Sequence, residues 1–403
     1  NLNYVVQPGK VVTINDVVIS GNDTTKDRVI RRYIYLAPGD TFSATDLKDS
    51  KNALGRTGFF ENVDIQSQRI SEDKINLLVK VKETSTGTIS AGGGYGSYEG
   101  LMVNASISDR NIFGSGINTT LGFEISRIST NYNVSFVNPK IWDSMYSFGV
   151  SLYKRDYEYI DYTQDQLGGS MTVGRQFFRH INASAGIGYV DNQSSFNDDS
   201  NTTLINSFLY NDQYKKASAF TSISFDNTDD FYNAREGVRA VVNFEYAQLD
   251  GDDYNATFYD GYTDTFKTSA KVGLYYGLED WIDYDLILRL KGRATYISRD
   301  ENKKLPIGEK LFMGGIGSVR GFDPFSLAPS LANGELVGGT QRASASVEAS
   351  IPLSEAAKMR LAFFYDYGYI SNDADIFETT PILVNDITRS STGVVLEWQS
   401  GFG

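Results

Sequence analysis

The sequence predicts two regions: a compact α+β domain over residues 1–85 and an all-β antiparallel transmembrane β-barrel over residues 86–403. Three observations carry this reading. From Thr86 onward the chain breaks into segments of about ten residues in which apolar and polar side chains alternate with a period of two, as in strands with one lipid face and one wet face. The composition agrees, because 26 Tyr, 24 Phe and 38 Gly against only 8 Pro suit many short strands. Residues 12–84 read instead as strand, helix, helix, strand, strand.

In that first region, Val12 to Ser20 is the opening strand, ended by a Gly21-Asn22 turn, and a helical stretch runs from Lys26 to about Ile34. A second helix starts where Ser43 or Thr45 precedes Asp46, since a hydroxyl can cap free amide groups and a carboxylate favours the positive helix end. Gly58 ends it. Strands at Asn62 to Ile70 and Ile75 to Lys82 close the domain, and the cluster Lys26, Arg28, Arg31 and Arg32 reads as a solvated helix face.

About fourteen strands follow, near 86–97, 100–110, 117–128, 130–137, 145–156, 165–177, 180–191, 215–226, 237–249, 263–277, 283–298, 341–352, 358–371 and 391–399. The alternation is plainest late in the chain. Ala343, Ala345, Val347, Ala349 and Ile351 share one face, while Ser344, Ser346, Glu348 and Ser350 share the other. Met359, Leu361, Phe363, Tyr365, Tyr367 and Tyr369 oppose Arg360, Ala362, Phe364, Asp366 and Gly368. Leu286, Leu288, Leu290, Ala294 and Tyr296 likewise oppose Arg289, Lys291, Arg293 and Thr295. Aromatic residues near strand ends, such as Tyr296 and Tyr365 to Tyr369, favour a membrane barrel over a soluble sandwich. A closed barrel leaves no edge in lipid, so the ending Ser400-Gly401-Phe402-Gly403 implies that a C-terminal hairpin is missing. The start at Asn1, without Met or a signal-peptide pattern, suits a mature form or, as favoured here, a fragment.

Several classes of function drop out. A net charge of −13 and a pI near 4.7 argue against nucleic acid as a partner. With no Cys and a single His180, neither a histidine-cluster metal site nor a Ser-His-Asp triad is expected. Gly92 to Gly94 and Gly314 to Gly317 do not lead into a helix beginning Lys-Ser or Lys-Thr, so nucleotide binding is not expected. The acidic stretches Asp191 to Asn201 and Asp250 to Asp264 lack calcium-loop spacing and read as solvated extracellular loops. No catalytic residue, metal or cofactor is therefore expected, which disfavours a membrane lipase or omptin-like protease.

One connection stands out. Roughly forty residues separate the two clearest strands, longer than a connection needs to be, and they hold Gly314, Gly315 and Gly317 before Val319-Arg320-Gly321-Phe322. Alternation offers Glu348 and Asp366 on the polar face of adjacent strands, and one guanidinium can bridge two carboxylates. Arg320 could equally do no more than pin the loop.

Motifs now add a resemblance. Gly21-Asn22, Pro38-Gly39-Asp40 and Gly58-Phe59-Phe60-Glu61-Asn62-Val63 make residues 12–84 resemble a POTRA domain. Gly93-Gly94-Tyr95-Gly96, Asn111-Ile112-Phe113-Gly114-Ser115-Gly116 and Phe225-Asp226-Asn227-Thr228-Asp229 before Arg235-Glu236-Gly237 extend the match. Together with Val319-Arg320-Gly321-Phe322, they make nearly the whole chain resemble the BamA family of outer-membrane β-barrel assembly factors. The resemblance implies a sixteen-stranded barrel in the bacterial outer membrane and the barrel-proximal POTRA domain, of several, in the periplasm. It also implies a luminal loop presenting Arg320 to carboxylates on the barrel wall, and a lateral gate whose first strand holds Ile89, Gly92, Gly93, Gly94, Tyr95 and Gly96. Clients would add strands at that edge, although the glycines could instead fit a tight barrel curve. Implied partners are unfolded outer-membrane proteins, accessory assembly lipoproteins, outer-membrane lipid and periplasmic chaperones, with edge pairing along Asn62 to Ile70 as one route. A two-partner-type secretion pore shares these features; a general porin leaves residues 12–84 unexplained.

Overall fold

The computed structural model describes residues 11–178, 180–197, 210–230, 234–251, 259–300, 302–331, 334–354, 356–372, 382–384 and 386–398. The chain forms two compact units, one of residues 1–90, 106–121 and 135–147, the other of residues 91–105, 122–134 and 148–403.

The first unit is built on β1 (Thr13–Ser20), α1 (Asp27–Arg31), α2 (Ala44–Arg56), β2 (Phe60–Arg69) and β3 (Lys74–Glu83). β3 is central, parallel to β1 and antiparallel to β2. Its alternate residues Ile75, Leu77, Val79 and Val81 are buried with Val29 and Ile30 of α1 and Leu54 of α2 in one core. Ser43 is the N-cap of α2, its Oγ accepting from the Asp46 amide at 3.2 Å. α1 is shorter than its sequence suggests, because the Tyr33 and Ile34 amides turn back to the Ile30 and Arg31 carbonyls and tighten the last turn.

Arg32 departs from the solvated reading: its side chain is 4% exposed. Nη2 donates to the Gly116 carbonyl at 3.2 Å, and Lys140 Nζ donates to the Arg32 carbonyl at 3.0 Å. Beside it, Asn111 Nδ2 donates to Thr25 Oγ1 at 2.8 Å while its Oδ1 accepts from the Gly116 amide at 2.7 Å. Gly114 has φ +64°, and a Cβ there would lie 1.9 Å from the Thr24 carbonyl oxygen, so only glycine allows this approach.

The sheet of the membrane region runs through β4 (Gly87–Gly96), β5 (Gly100–Asp109), β6 (Asn118–Ile125), β7 (Ser129–Asn138), β8 (Tyr146–Glu158), β9 (Tyr162–Phe178) and β10 (Ile181–Phe196). It continues through β11 (Asp212–Asp226), β12 (Gly237–Asp250), β13 (Thr265–Gly277), β14 (Ile287–Ser298), β16 (Gln341–Ser354), β17 (Met359–Ser371) and β19 (Asp386–Trp398). These fourteen strands pair in chain order, with β4 and β19 at the two ends of the order. A short pair, β15 (Ser330–Leu331) and β18 (Ile382–Val384), joins two of the connections. Val347, Phe363, Tyr365 and Tyr367 are exposed on one face, while Glu348, Ser350 and Asp366 are buried on the other.

Some boundaries differ from those expected. β14 begins at Ile287 rather than 283, because Glu279–Ile282 forms a one-turn helix, α3, closed by Asp283 at φ 53°. β19 begins at Asp386; its polar start, Asp386 to Ser390, hides the alternation although Ile387 is buried against Ile370. Asp191 to Phe196 continue β10 instead of opening a loop, and Tyr259, Tyr262 and Thr263 of the second acidic stretch are buried. Residues 198–209, 252–258 and 399–403, which include parts of both acidic stretches and the chain's last residues, lie outside the described residues.

Two expectations follow. The Glu83 carboxylate accepts from the Thr25 and Thr24 amides at 2.6 and 2.9 Å. Burial raises its pKa, but these bonds outweigh burial and hold it below the ordinary 4.5. A depressed carboxylate stabilises the fold above its ordinary pKa and loses that contribution as the pH falls through the folded value. Glu83→Gln should thus lower domain stability at neutral pH and flatten its decline below about pH 4.5 in acid titrations followed by hydrogen exchange. Secondly, strand order puts Trp281, between β13 and β14, and Trp398, ending β19, at one rim, at 76 and 63% exposure, and Trp142 lies in the turn between β7 and β8 at 90% exposure. Tryptophan favours the membrane–water interface. In vesicles, intrinsic fluorescence should be quenched more by a headgroup-level lipid label than by one at the bilayer centre, and least by an aqueous quencher.

Candidate functional site

The site grows from parity. β16 and β17 pair with Ser346 opposite Asp366, and β14 pairs with β16 so that Arg289 faces Glu348 and Lys291 faces Ser346. Every second residue therefore points to the same face. The connection from β14 to β16 lies on this face. Its own apolar residues, among them Leu305, Ile307, Leu311, Met313, Val319 and Leu327, form a core with Tyr162, Ile297 and Ile370 of the strands.

Glycines shape the tip. Gly314 has φ +109°, and a Cβ there would meet the Asp323 carbonyl oxygen at 2.1 Å, so the turn closes only with glycine. The Gly315 amide donates to the Phe322 carbonyl at 2.9 Å and the Gly314 amide to Ser318 Oγ at 2.8 Å. Gly321 has φ +87°, which orients the chain after Arg320. Val319 is fully buried; a Cβ on Gly368 of β17 would come within 2.5 Å of it. Phe322 packs half-buried against the same core.

Arg320 is then fixed from every side. Its Nε and Nη2 donate to the two oxygens of Asp366 at 2.7 and 2.6 Å, and its backbone amide donates to Asp366 Oδ2 at 3.0 Å. Nη2 also donates to Ser346 Oγ at 2.7 Å, and Nη1 lies 2.8 Å from Glu348 Oε1. The guanidinium stacks 3.7 Å above the Phe364 ring. Side-chain exposure is 18% for Arg320, 3% for Glu348 and 1% for Asp366. The structure thus brings together Arg320, Glu348 and Asp366.

Three features had no counterpart in the sequence reading. Glu348 also accepts from Lys291 Nζ at 2.7 Å and lies 3.6 Å from Arg289, which pairs with Glu397 of β19 at 2.5 Å. Arg360 continues the chain of charges, donating to Ser350 Oγ at 3.0 Å and to Asp285 at 2.7 Å; Arg235 joins Asp285 at 2.7 Å. A second clamp holds the start of the loop: Lys304 Nζ lies 2.6 Å from Asp212, and Glu309 lies 2.8 Å from Lys216 and accepts from Tyr214 at 3.2 Å. Strand parity marks these residues as inward, but nothing in sequence spacing pairs residues about 93 positions apart.

The glycine-rich residues of β4 lie elsewhere. Ile89, Gly92, Gly93, Gly94 and Tyr95 are exposed and Gly96 half-buried on a strand that ends the hydrogen-bonded order. His180 Nδ1 meets the Asp226 carbonyl at 2.9 Å, and among the described residues no group of three or more His, Cys, Asp or Glu could hold a metal.

Removing one partner of a buried hydrogen-bonded charge pair costs roughly 2–5 kcal/mol. Arg320→Ala should therefore make the 299–340 connection more sensitive to protease, and Asp366→Asn should do the same. Because the residues touch, the double variant should lose far less than the sum of the single effects; additive effects would mean separate roles.

Comparison with known proteins agrees with this architecture. Residues 12–84 match the POTRA family model, described as a surface antigen variable number repeat, and residues 111–403 match the Omp85 superfamily domain. The outer membrane protein assembly factor BamA of Nitratidesulfovibrio vulgaris is 26% identical over 413 aligned residues, covering 100% of this chain and 49% of that protein. The chain thus spans about half the length of that relative. The crystal structure of BamA from Haemophilus ducreyi lacking POTRA domains 1-3 superposes with a TM-score of 0.82 at 23% identity, covering 98% of this chain and 79% of that one. CdiB from Acinetobacter baumannii shares the fold at a TM-score of 0.56 and 15% identity, over 95% of this chain and 67% of that one. With an α+β domain of the POTRA type leading into an antiparallel transmembrane barrel, the chain belongs to the Omp85 superfamily.

Proposed function

We propose that this chain is the membrane-embedded part, with its adjoining POTRA domain, of a factor that folds and inserts client β-barrels into the bacterial outer membrane. Its POTRA domain faces the periplasm. Clients would pair strands with an exposed barrel edge, a process that exchanges backbone hydrogen bonds and needs no covalent chemistry.

The observation that carries this reading is β4. It ends the strand order, exposes Ile89 and Tyr95, and has glycine at 92, 93, 94 and 96, so few side chains hold its neighbour in place. A strand so weakly fastened by side chains can exchange partners. At the other end of the order, the Arg320 clamp keeps β16 and β17 rigid, so that opening would be confined to the β4 side. Similarity to BamA along the full length of the chain supports the assembly role. In the POTRA domain, β1 and β2 are the outer strands and offer edges to clients or to accessory lipoproteins. Lipid and periplasmic chaperones complete the expected partners.

A dedicated secretion pore of the two-partner type is the second reading, since it shares the domain order; the lower TM-score against CdiB weighs against it. Depleting the full-length parent protein in its own bacterium and quantifying many unrelated outer-membrane barrels separates the two. A general fall is expected, whereas normal barrels with loss of one secreted protein would establish the pore. A photo-crosslinking residue at position 89 should capture nascent barrel strands, and its failure to do so while assembly proceeds would remove β4 from the mechanism.

A further inference from the structure

On the loop-side face of β13, β14, β16 and β17, Arg289, Lys291 and Arg360 each have a carboxylate partner. Lys267, Lys271, Arg293 and Arg342 form no ion pair among the described residues. Lys267 stands apart, but the other three line a single, partly open cavity of about 640 Å³, together with loop residues between Phe312 and Phe325 and with Tyr98 and Tyr157. Lys271 and Arg293 are direct cross-strand partners, and Arg342 sits opposite Thr295, one inward position along from Arg293. Like charges placed directly opposite each other weaken a sheet. Here a third positive charge is added beside them rather than a counter-charge.

The surroundings suit an anion. Ser269, Thr295 and Ser344 bring hydroxyl groups to the same wall. Arg342 Nη1 donates to the Phe312 carbonyl at 2.6 Å, which holds that guanidinium at the cavity wall. Arg293 Nη1 lies 2.7 Å from where a Cβ of residue 317 would be, so glycine at 317 leaves room for it. Two carboxylates, Glu99 and Asp323, also reach the cavity, but neither forms an ion pair with the three cations, and Arg320 in the same lining is already neutralised by Glu348 and Asp366.

We infer that this cavity binds a phosphate group through Lys271, Arg293 and Arg342. Three adjacent cations with hydroxyl donors between them match a doubly charged anion with several acceptor oxygens better than a single carboxylate. Two sources offer that chemistry: free phosphate and the phosphoryl headgroup of a lipid.

Calorimetric titration of the detergent-purified chain with inorganic phosphate, against chloride at matched ionic strength, tests the free source, and phosphorus analysis of the same preparation tests the lipid source. One phosphate per chain is expected, with affinity falling about tenfold or more in Arg293→Gln and in Lys271→Gln, as for loss of one charge-assisted bond. Arg293→Lys keeps the charge and should retain most of the affinity, and protease resistance of the 299–340 connection checks that each variant has folded. Stoichiometric lipid phosphorus that disappears in the Gln variants would assign the site to a headgroup. Phosphate binding no stronger than chloride, with no bound phosphorus, or binding unchanged in folded Gln variants, would overturn the inference.

Discussion

Two nearly buried carboxylates, on Glu348 and Asp366, govern the arrangement of this chain. A buried carboxylate is tolerated only when paired and hydrogen-bonded, and the strands alone supply Lys291 and Arg289 to Glu348 but no cation to Asp366. The missing charge comes from the connection between β14 and β16. Its path across the inner face, the left-handed glycines at its tip and the burial of Val319 all serve to deliver one guanidinium. Asp366 takes both the side-chain fork and the Arg320 amide, which fixes position and direction together.

The pairing does not stop there. Glu348 is shared by Arg320, Lys291 and Arg289, Arg289 reaches Glu397, and Arg360 reaches Asp285 and through it Arg235. Each charge in this network has an opposite partner: Lys291 and Arg289 tie β14 to β16 and Arg289 ties it to β19, while Arg320 ties the loop to β16 and β17. β4 has no such reinforcement.

Much of this was legible from the residues. Period-two alternation located the strands and assigned Glu348 and Asp366 to the polar face, because side-chain direction in a strand depends only on parity. An overlong connection carrying a single arginine among glycines drew attention to Arg320. What parity cannot give is which distant residues meet. Arg32 looked like one more solvated charge, yet Gly116, 84 positions away, receives its guanidinium. The Lys304–Asp212 and Glu309–Lys216 pairs were hidden for the same reason, and the polar residues Asp386 to Ser390 concealed the first part of β19, whose pairing there is set by its neighbour rather than by its own pattern.

The seat of the loop also has a direction in time. Arg320 precedes Asp366 by 46 residues, and Val319 fits only over Gly368. As the chain is made, the plug is therefore finished before its socket exists, and it can lock only after β16 and β17 have paired in the correct register. A one-residue slip of β17 would turn Asp366 to the opposite face and leave Arg320 only Ser346 and Glu348 of β16. The seat of the loop thus depends on the register of the wall: the contacts of Arg320 with Asp366 and of Val319 with Gly368 exist only where β17 lies opposite β16 as Ser346 to Asp366.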